Sequence, residues 1–588
     1  MPCAISCENT NVTGNPVRQL KEWQPTVKMA TRIWINEIKF SDDTTLQFEK
    51  DDIVVFVGPN NAGKSASLKE AATLIKAKTN RGKVLKDISI GKEGDETELF
   101  ELLNKAASKN FDNPSQILYK GFGFTIWEQT AKNNFSNHTK GVGELSSLFM
   151  NSLTTEDRIR AANPANNIKL TTEAMQHPIH YLQKDDQLEK RFSDYFRQAF
   201  GTDLIVHRNA GSEVPLYIGE KPIPKTGEDR VSSSYLIELE KLDLLHEQGD
   251  GMRSFVGVLL NAFISNHSIL FIDEPEAFLH PPQARLLGKM LAKDLPSARQ
   301  LFLATHSEDF LKGLLDANNS NLRIIRIQRD GSINKVSSLT SSDIDSIWND
   351  SLLRHSNVLD GLFHSKVVIC ESDSDCRFFS AVLSAQFDNT ASIGPDILFI
   401  HCGGKHRIPT AIKALTKLNV PIKVVSDFDV LNDINPIKEI FEDLGGIWSD
   451  IESDWKIVKK EIEQKRPEFL TVDIKREIEA TFKSTTERIF PKEKINEIQR
   501  ALKKASAWSE AKEVGKSYIP SGNATKAFER LQVKLKEKGF LILEVGELES
   551  FVKSVGNHGP KWVSEVLTKD LKTDIELEQA RQFVSQFI

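Results

Sequence analysis

Ile53-Val54-Val55-Phe56-Val57-Gly58-Pro59-Asn60-Asn61-Ala62-Gly63-Lys64-Ser65 joins a short apolar run directly to a glycine-rich loop. Five consecutive apolar residues suit a strand buried on both faces of a parallel sheet. The next residues, Ala66-Ser67-Leu68-Lys69-Glu70-Ala71-Ala72, are mostly helix formers. Strand, GxxxxGKS and helix, in that order, are the setting of a phosphate-binding loop. Its glycines let backbone N–H groups turn inward around phosphate oxygens, and the helix N-terminus favours an anion. On this reading Asn60, Asn61, Ala62 and Gly63 wrap the phosphates. Lys64 sets a point charge beside the β- and γ-phosphates, and Ser65 offers its hydroxyl to Mg²⁺.

Two further apolar runs extend this half. Ser268–Ile272 leads into Asp273-Glu274-Pro275-Glu276, where Asp273 is suited to steady Mg²⁺ and Glu274 to polarise an attacking water. Leu301–Ala304 leads into Thr305-His306-Ser307, which puts His306 where a γ-phosphate can be sensed. ATP with Mg²⁺ is the ligand this set implies. Phe271–Pro281 and Leu303–Leu311 resemble the corresponding segments of ABC-type ATPases of the SMC kind. Gly249–Phe255 resembles their signature segment in divergent form. That resemblance implies that Gly251 and Ser254 meet the nucleotide of a second subunit, in a homodimer or homotetramer built through the ATPase domain.

A second constellation lies about three hundred residues on. Lys366–Cys370 reads as an apolar strand with Glu371 at its end and Asp375 four residues later. Pro421–Val425 reads as another, followed by Asp427-Phe428-Asp429. Ligands of open α/β sheets bind beyond the carboxyl ends of the strands. Two neighbouring strands would therefore bring four carboxylates to one edge, an arrangement that is costly unless cations neutralise it. Hard oxygen donors favour Mg²⁺, Mn²⁺ or Ca²⁺.

This pattern, with Gly403-Gly404-Lys405 between the two strands, resembles the TOPRIM domain. Placed after an ABC-type ATPase, it resembles the OLD (overcoming lysogenisation defect) family, including Gabija-type and retron-associated antiphage effectors. The resemblance implies an ATP-binding, metal-dependent endonuclease that cleaves or nicks DNA in antiphage defence, with nucleotide state controlling the nuclease. It implies DNA as partner, with RNA such as tRNA also open, and a defence-system protein or a retron RNA–DNA complex as a further partner. It also implies that Glu549, together with Glu547, completes a second metal site, and that Lys561 stabilises charge on the cleaved phosphate. The alternative is an ATP-dependent DNA-binding or repair scaffold with an inactive TOPRIM fold.

The chain has 588 residues, 39% hydrophobic and 27% charged, which suits at least two globular domains. The expected class is α/β, an ABC-type P-loop ATPase domain followed by a TOPRIM (Rossmann-like) domain with a helical insertion. The expected divisions are a disordered extension over 1–28, the ATPase over 29–350 with a helical or dimerisation insert near 90–200, and the TOPRIM domain over 360–588 with a helical insertion near 435–540. Gly121–Trp127 reads as a strand. A net charge of −6 argues against wholesale coating by nucleic acid. Residues 451–540, however, hold 21 Lys and Arg against 15 Asp and Glu, which makes Lys503, Lys504, Lys512 and Lys516 candidates for a DNA-facing patch. No CxxC pair occurs among Cys3, Cys7, Cys370, Cys376 and Cys402. The expectation is a reduced, cytoplasmic protein without zinc ribbon or membrane span.

Overall fold

A computed structural model describes residues 31–588 apart from 79–81, 114–115, 122, 266, 340–347, 350–356, 388–393, 418, 466–470 and 504–506. The extension expected over 1–28, Cys3, Cys7, Lys504 and the side chain of Lys503 lie outside the described residues. No described helix is long and apolar enough to cross a membrane.

The apolar runs form two parallel-strand sheets. The first has six strands in the order 333–339, 322–330, 53–57, 300–304, 269–273 and 150–153, all parallel except the antiparallel edge 333–339. Every residue of Ile53–Val57 and Gln300–Ala304 is buried, as two-sided burial requires. The second sheet has four parallel strands in the order 397–401, 366–370, 422–426 and 540–542. Glu371 and Asp427 therefore leave the carboxyl ends of adjacent strands.

The segment near 90–200 is mixed rather than helical. Helix Glu96–Ala106 packs on an antiparallel sheet of 107–113, 116–121 and 124–127, and helix Asp186–Phe200 packs on the strand 203–206 instead. The stretch 121–127 is not one strand. It turns at Gly123 (φ +71°), and Gly121 pairs with Phe124 across the hairpin. Alternating burial of Phe124 and Ile126 directs those side chains into the core. Between strands 422–426 and 540–542 the described chain is helical, including Glu452–Gln464, Ala507–Val514 and Asn523–Glu537. Trp448, Trp455 and Trp508 are all buried there.

One apolar cluster runs from Ile53 and Val55 through Leu322 and Ile324 to Leu362, Val367 and Ile369, so the two sheets share a core. Arg326 ties them further. It is 2% exposed, sits beside Val57 in the first sheet, and donates to the carbonyls of Leu362 (3.4 Å), Asn419 (3.0 Å) and His364 (2.9 Å). Arg326→Ala would leave three carbonyls, that of buried Leu362 among them, without their donor. It should cost about 3 kcal/mol, seen as a lower urea midpoint; an unchanged midpoint would make the tie dispensable.

Candidate nucleotide site and candidate metal centre

The phosphate loop is already shaped for an anion. Gly58 (φ +144°) passes so close to the strand 322–330 that a Cβ there would lie 2.0 Å from the Ile327 carbonyl oxygen. Gly63 (φ +104°) starts the helix Lys64–Lys76 in the left-handed region that glycine tolerates. Asn60 and Asn61 are exposed at the loop tip, and the carbonyl of buried Ala62 accepts from Asn334 Nδ2. Lys64 Nζ turns back onto the loop, donating to the carbonyls of Gly58 (2.7 Å) and Pro59 (3.0 Å). Burial lowers its pKa, against the opposing pull of Glu274 and Asp273.

Ser65 Oγ donates to Asp273 Oδ1 at 2.8 Å, although the strand 300–304 lies between their parent strands. The two proposed Mg²⁺ ligands thus meet. Glu274 has φ +48°, a strained setting for a side-chain-bearing residue, and its N–H donates to the Ala304 carbonyl at 2.8 Å. His306 Nδ1 lies 3.2 Å from Glu274 Oε1 and 3.7 Å from Glu276 Oε1. Glu276 also accepts from Thr305 Oγ1 at 2.7 Å, and burial pushes its pKa up.

The signature segment forms the start of the helix Asp250–Leu259. Gly251 is half-buried against the Phe278 carbonyl, where a Cβ would lie 2.7 Å away. Ser254 is wholly buried and accepts from Arg158 Nε at 3.3 Å. Sequence reasoning missed Arg158. It is fully buried, donates to the Asp273 carbonyl and to Thr155 Oγ1 (3.1 Å), and so braces the strand end that carries Asp273 and Glu274. Its neighbourhood holds no motif, so only the packing reveals it.

The second sheet gathers the predicted acids. The Asp427 N–H donates to Glu371 Oε1 at 3.1 Å. The Ser372 N–H donates to Asp375 Oδ2 at 2.8 Å from the turn entering helix Asp373–Phe387. Glu549 Oε1 accepts from the Gly559 N–H at 2.7 Å. Donor atoms of Glu547, Glu549 and His558 lie within 4.8 Å of one another, a grouping that adds His558 to the acids read from sequence. Lys561 is exposed on the first turn of helix Pro560–Val566.

Crowding perturbs these carboxyls. Burial, then Asp427 and Asp429, push Glu371 up to about 8. Burial, then Asp427, push Asp375 up to about 6. Burial, then Glu549, push Glu547 up to about 7. Burial also raises Asp427. Asp429 Oδ1 is buried with no hydrogen-bond partner among the described residues. A set of oxygen donors plus one imidazole, with an orphaned oxygen and protons held against repulsion, fits divalent metal.

Two lysines moderate the crowding. Lys405 Nζ, after Gly403-Gly404, lies 3.0 Å from Asp429 Oδ2. Lys512 Nζ lies 2.8 Å from Asp427 Oδ2 and 3.9 Å from Asp429 Oδ1. Lys512 therefore belongs to the acid cluster rather than to an open DNA-facing patch. Lys516 is likewise drawn toward Glu544 (3.6 Å).

A raised carboxyl pKa gives a signed prediction. Glu371 holds its proton up to about 8 in the fold, against an ordinary 4.5. Between those values the folded chain binds more protons than the unfolded one, so this contribution to stability is lost as pH rises. In EDTA, wild type should lose more melting temperature between pH 6 and pH 9 than Glu371→Gln, and saturating Mn²⁺ should reduce that loss. Parallel pH profiles would remove Glu371 as the titrating group.

Residues 153–311 match the family model described as AAA domain, putative AbiEii toxin, Type IV TA system. Residues 362–429 match that of the overcoming lysogenization defect protein-like TOPRIM domain. The Old nuclease of Escherichia phage P2 is 24% identical over 176 residues, which are 29% of this chain and 29% of that protein. Among solved structures, the Pyrococcus furiosus Smc head domain bound to the C-terminal domain of ScpA matches at 9% identity and TM-score 0.30, over 54% of this chain and 99% of that one. The SMC head domain from Thermotoga maritima matches at 10% identity and TM-score 0.27, over 53% and 99%. The chain thus joins an AAA-family ATPase domain to an OLD-like TOPRIM domain, the ATPase–TOPRIM architecture of the OLD family.

Proposed function

We propose that this protein is a metal-dependent endonuclease that cleaves or nicks DNA under the control of ATP, in the setting of antiphage defence. The observation that carries the reading is the crowding of Glu371, Asp375, Asp427, Asp429 and Glu549 at one sheet edge, where the acids raise one another's pKa and the Asp427 main-chain N–H reaches Glu371 Oε1 at 3.1 Å. That concentration of acids serves no packing purpose and is unfavourable without cations. Its TOPRIM setting and the nuclease relative support phosphodiester hydrolysis over a passive scaffold.

Glu371, Asp375, Asp427 and Asp429 would hold one part of the metal centre, and Glu547, Glu549 and His558 another. Divalent ions bound there supply activation of water and stabilisation of the departing oxygen. The main-chain N–H of Asp427 orients the Glu371 carboxylate. Lys405 holds Asp429 in place, and Lys561, exposed nearby in sequence to His558, is available to a substrate phosphate. In the ATPase half, Lys64 would leave the Gly58 and Pro59 carbonyls for the β- and γ-phosphates. Glu274 would orient water under the eye of His306. Gly251 and Ser254 would act in a head-to-head dimer only after Ser254 is freed from Arg158.

The test is a plasmid-cleavage assay in Mg²⁺, Mn²⁺ and Ca²⁺, with and without ATP. Glu371→Ala should reduce nicking at least about a hundredfold while leaving ATP binding intact. Lys64→Ala should abolish ATP binding and, with it, the response of nicking to ATP. DNA binding without cleavage in any metal would favour the scaffold; cleavage confined to tRNA or other RNA would move the substrate class.

A further inference from the structure

The helical insertion between strands 422–426 and 540–542 contributes a side chain to the acid cluster. Lys512 is on the helix Ala507–Val514, and its ammonium lies 2.8 Å from Asp427 and 3.9 Å from Asp429. This is not a loose surface contact. Gly546 packs against the Lys512 carbonyl so tightly that a Cβ on Gly546 would lie 2.2 Å from that oxygen. Gly515 packs equally closely on the Glu544 carbonyl, where a Cβ would lie 2.1 Å away. Ser550 Oγ donates to the Glu513 carbonyl at 2.7 Å, and the Lys516 N–H to the Glu544 carbonyl at 2.8 Å. Four contacts thus key the helix to the segment that carries Glu547 and Glu549. The stem of Lys512 starts from a fixed point and ends among the acids.

We propose that Lys512 is a built-in counter-ion of the acid cluster, occupying the place of a divalent cation at Asp427 and Asp429 and giving way when the metal binds. The inference rests on the reading of this cluster as a metal centre. A lysine is suited to the role because its ammonium is a compact point charge on a flexible stem, able to withdraw without moving the helix. Metal entry then exchanges one cation for another, and the released ammonium stays beside the centre, where a substrate phosphate would be. Lys512 is a positioning residue in this scheme, acting on the acids and their metal affinity.

The experiment compares wild type with Lys512→Met, Lys512→Arg and Lys516→Met, the last as a neighbouring charge loss outside the cluster. Mn²⁺ binding is measured by calorimetry at pH 8 on the full chain, and melting is followed in EDTA. Lys512→Met should bind Mn²⁺ about tenfold more tightly, because no ammonium has to be displaced. It should melt several degrees lower in EDTA, whereas the Arg and Lys516 variants stay near wild type. Mn²⁺ affinity within twofold of wild type, together with an unchanged EDTA melt, would overturn the inference while leaving the metal centre intact. If neither protein takes up Mn²⁺, the metal-centre reading fails and the inference with it. If Lys512→Met is unfolded in EDTA, a cooperative melt restored by Mn²⁺ supports the role. Failure to fold at every Mn²⁺ concentration, with Lys512→Gln binding Mn²⁺ as wild type does, overturns it.

Discussion

Carboxylates gathered at one edge of a parallel sheet repel one another, and the TOPRIM half is organised around containing that repulsion. Two unit charges 4 Å apart interact by about 4 kcal/mol at the effective dielectric of a protein surface region. Several such pairs would exceed the margin by which a domain is stable. The fold answers in three ways. Main-chain N–H groups of Ser372, Asp427 and Gly559 are aimed at Asp375, Glu371 and Glu549. Lys405 and Lys512 supply positive charge. Protons are retained on Glu371 and Glu547 to about 8 and about 7. Protons and flexible ammonium groups can leave such a cluster, whereas the main-chain N–H groups are fixed by the fold and keep the carboxylates in position.

The nucleotide half poses the opposite problem, a glycine loop and helix N-terminus whose donors favour an anion. Here Lys64 is held by two carbonyls of its own loop, and Glu274 is held in a left-handed conformation by its bond to Ala304. The two halves are joined where Gly58 presses on the Ile327 carbonyl. The residue before Ile327 is Arg326, whose guanidinium grips the carbonyls of Leu362, His364 and Asn419. A shift of the phosphate loop therefore meets, within one strand, the side chain anchoring the second sheet. Because the two sheets also share one apolar cluster, such a shift would move packed elements rather than bend a linker.

Much of this was legible in the residues. The runs 53–57 and 366–370 became strands with those limits, because five apolar residues in the first and four after Lys366 in the second leave little choice of burial. The placement of Glu371 and Asp427 at neighbouring strand ends followed from those limits. Other features had no local signature. Asp273 closes its strand rather than following it, a one-residue difference that apolar content does not resolve. The hairpin at Gly123 was hidden by a continuous aromatic pattern on both sides of the turn. Arg158 and Lys512 act through partners more than eighty residues away, Asp273 and Asp427, and nothing near them marks the contact. Charge counting read Lys512 as part of an exposed patch because a sum over a segment cannot distinguish a lysine facing solvent from one facing an acid.

The insertion makes more sense from this standpoint than as an appended binding surface. Parallel neighbours such as 422–426 and 540–542 need a crossover of only about a dozen residues. The segment actually used is far longer, and its helices are buried by Trp455, whose indole donates to the Leu431 carbonyl at 2.9 Å, just beyond Asp429. At its other end Gly515 and Gly546 admit contacts that no larger residue would allow. The insertion is thus anchored on both sides of the acids, to the loop after Asp427 and to the loop before Glu547. That geometry makes the insertion part of the framework that holds the acid cluster.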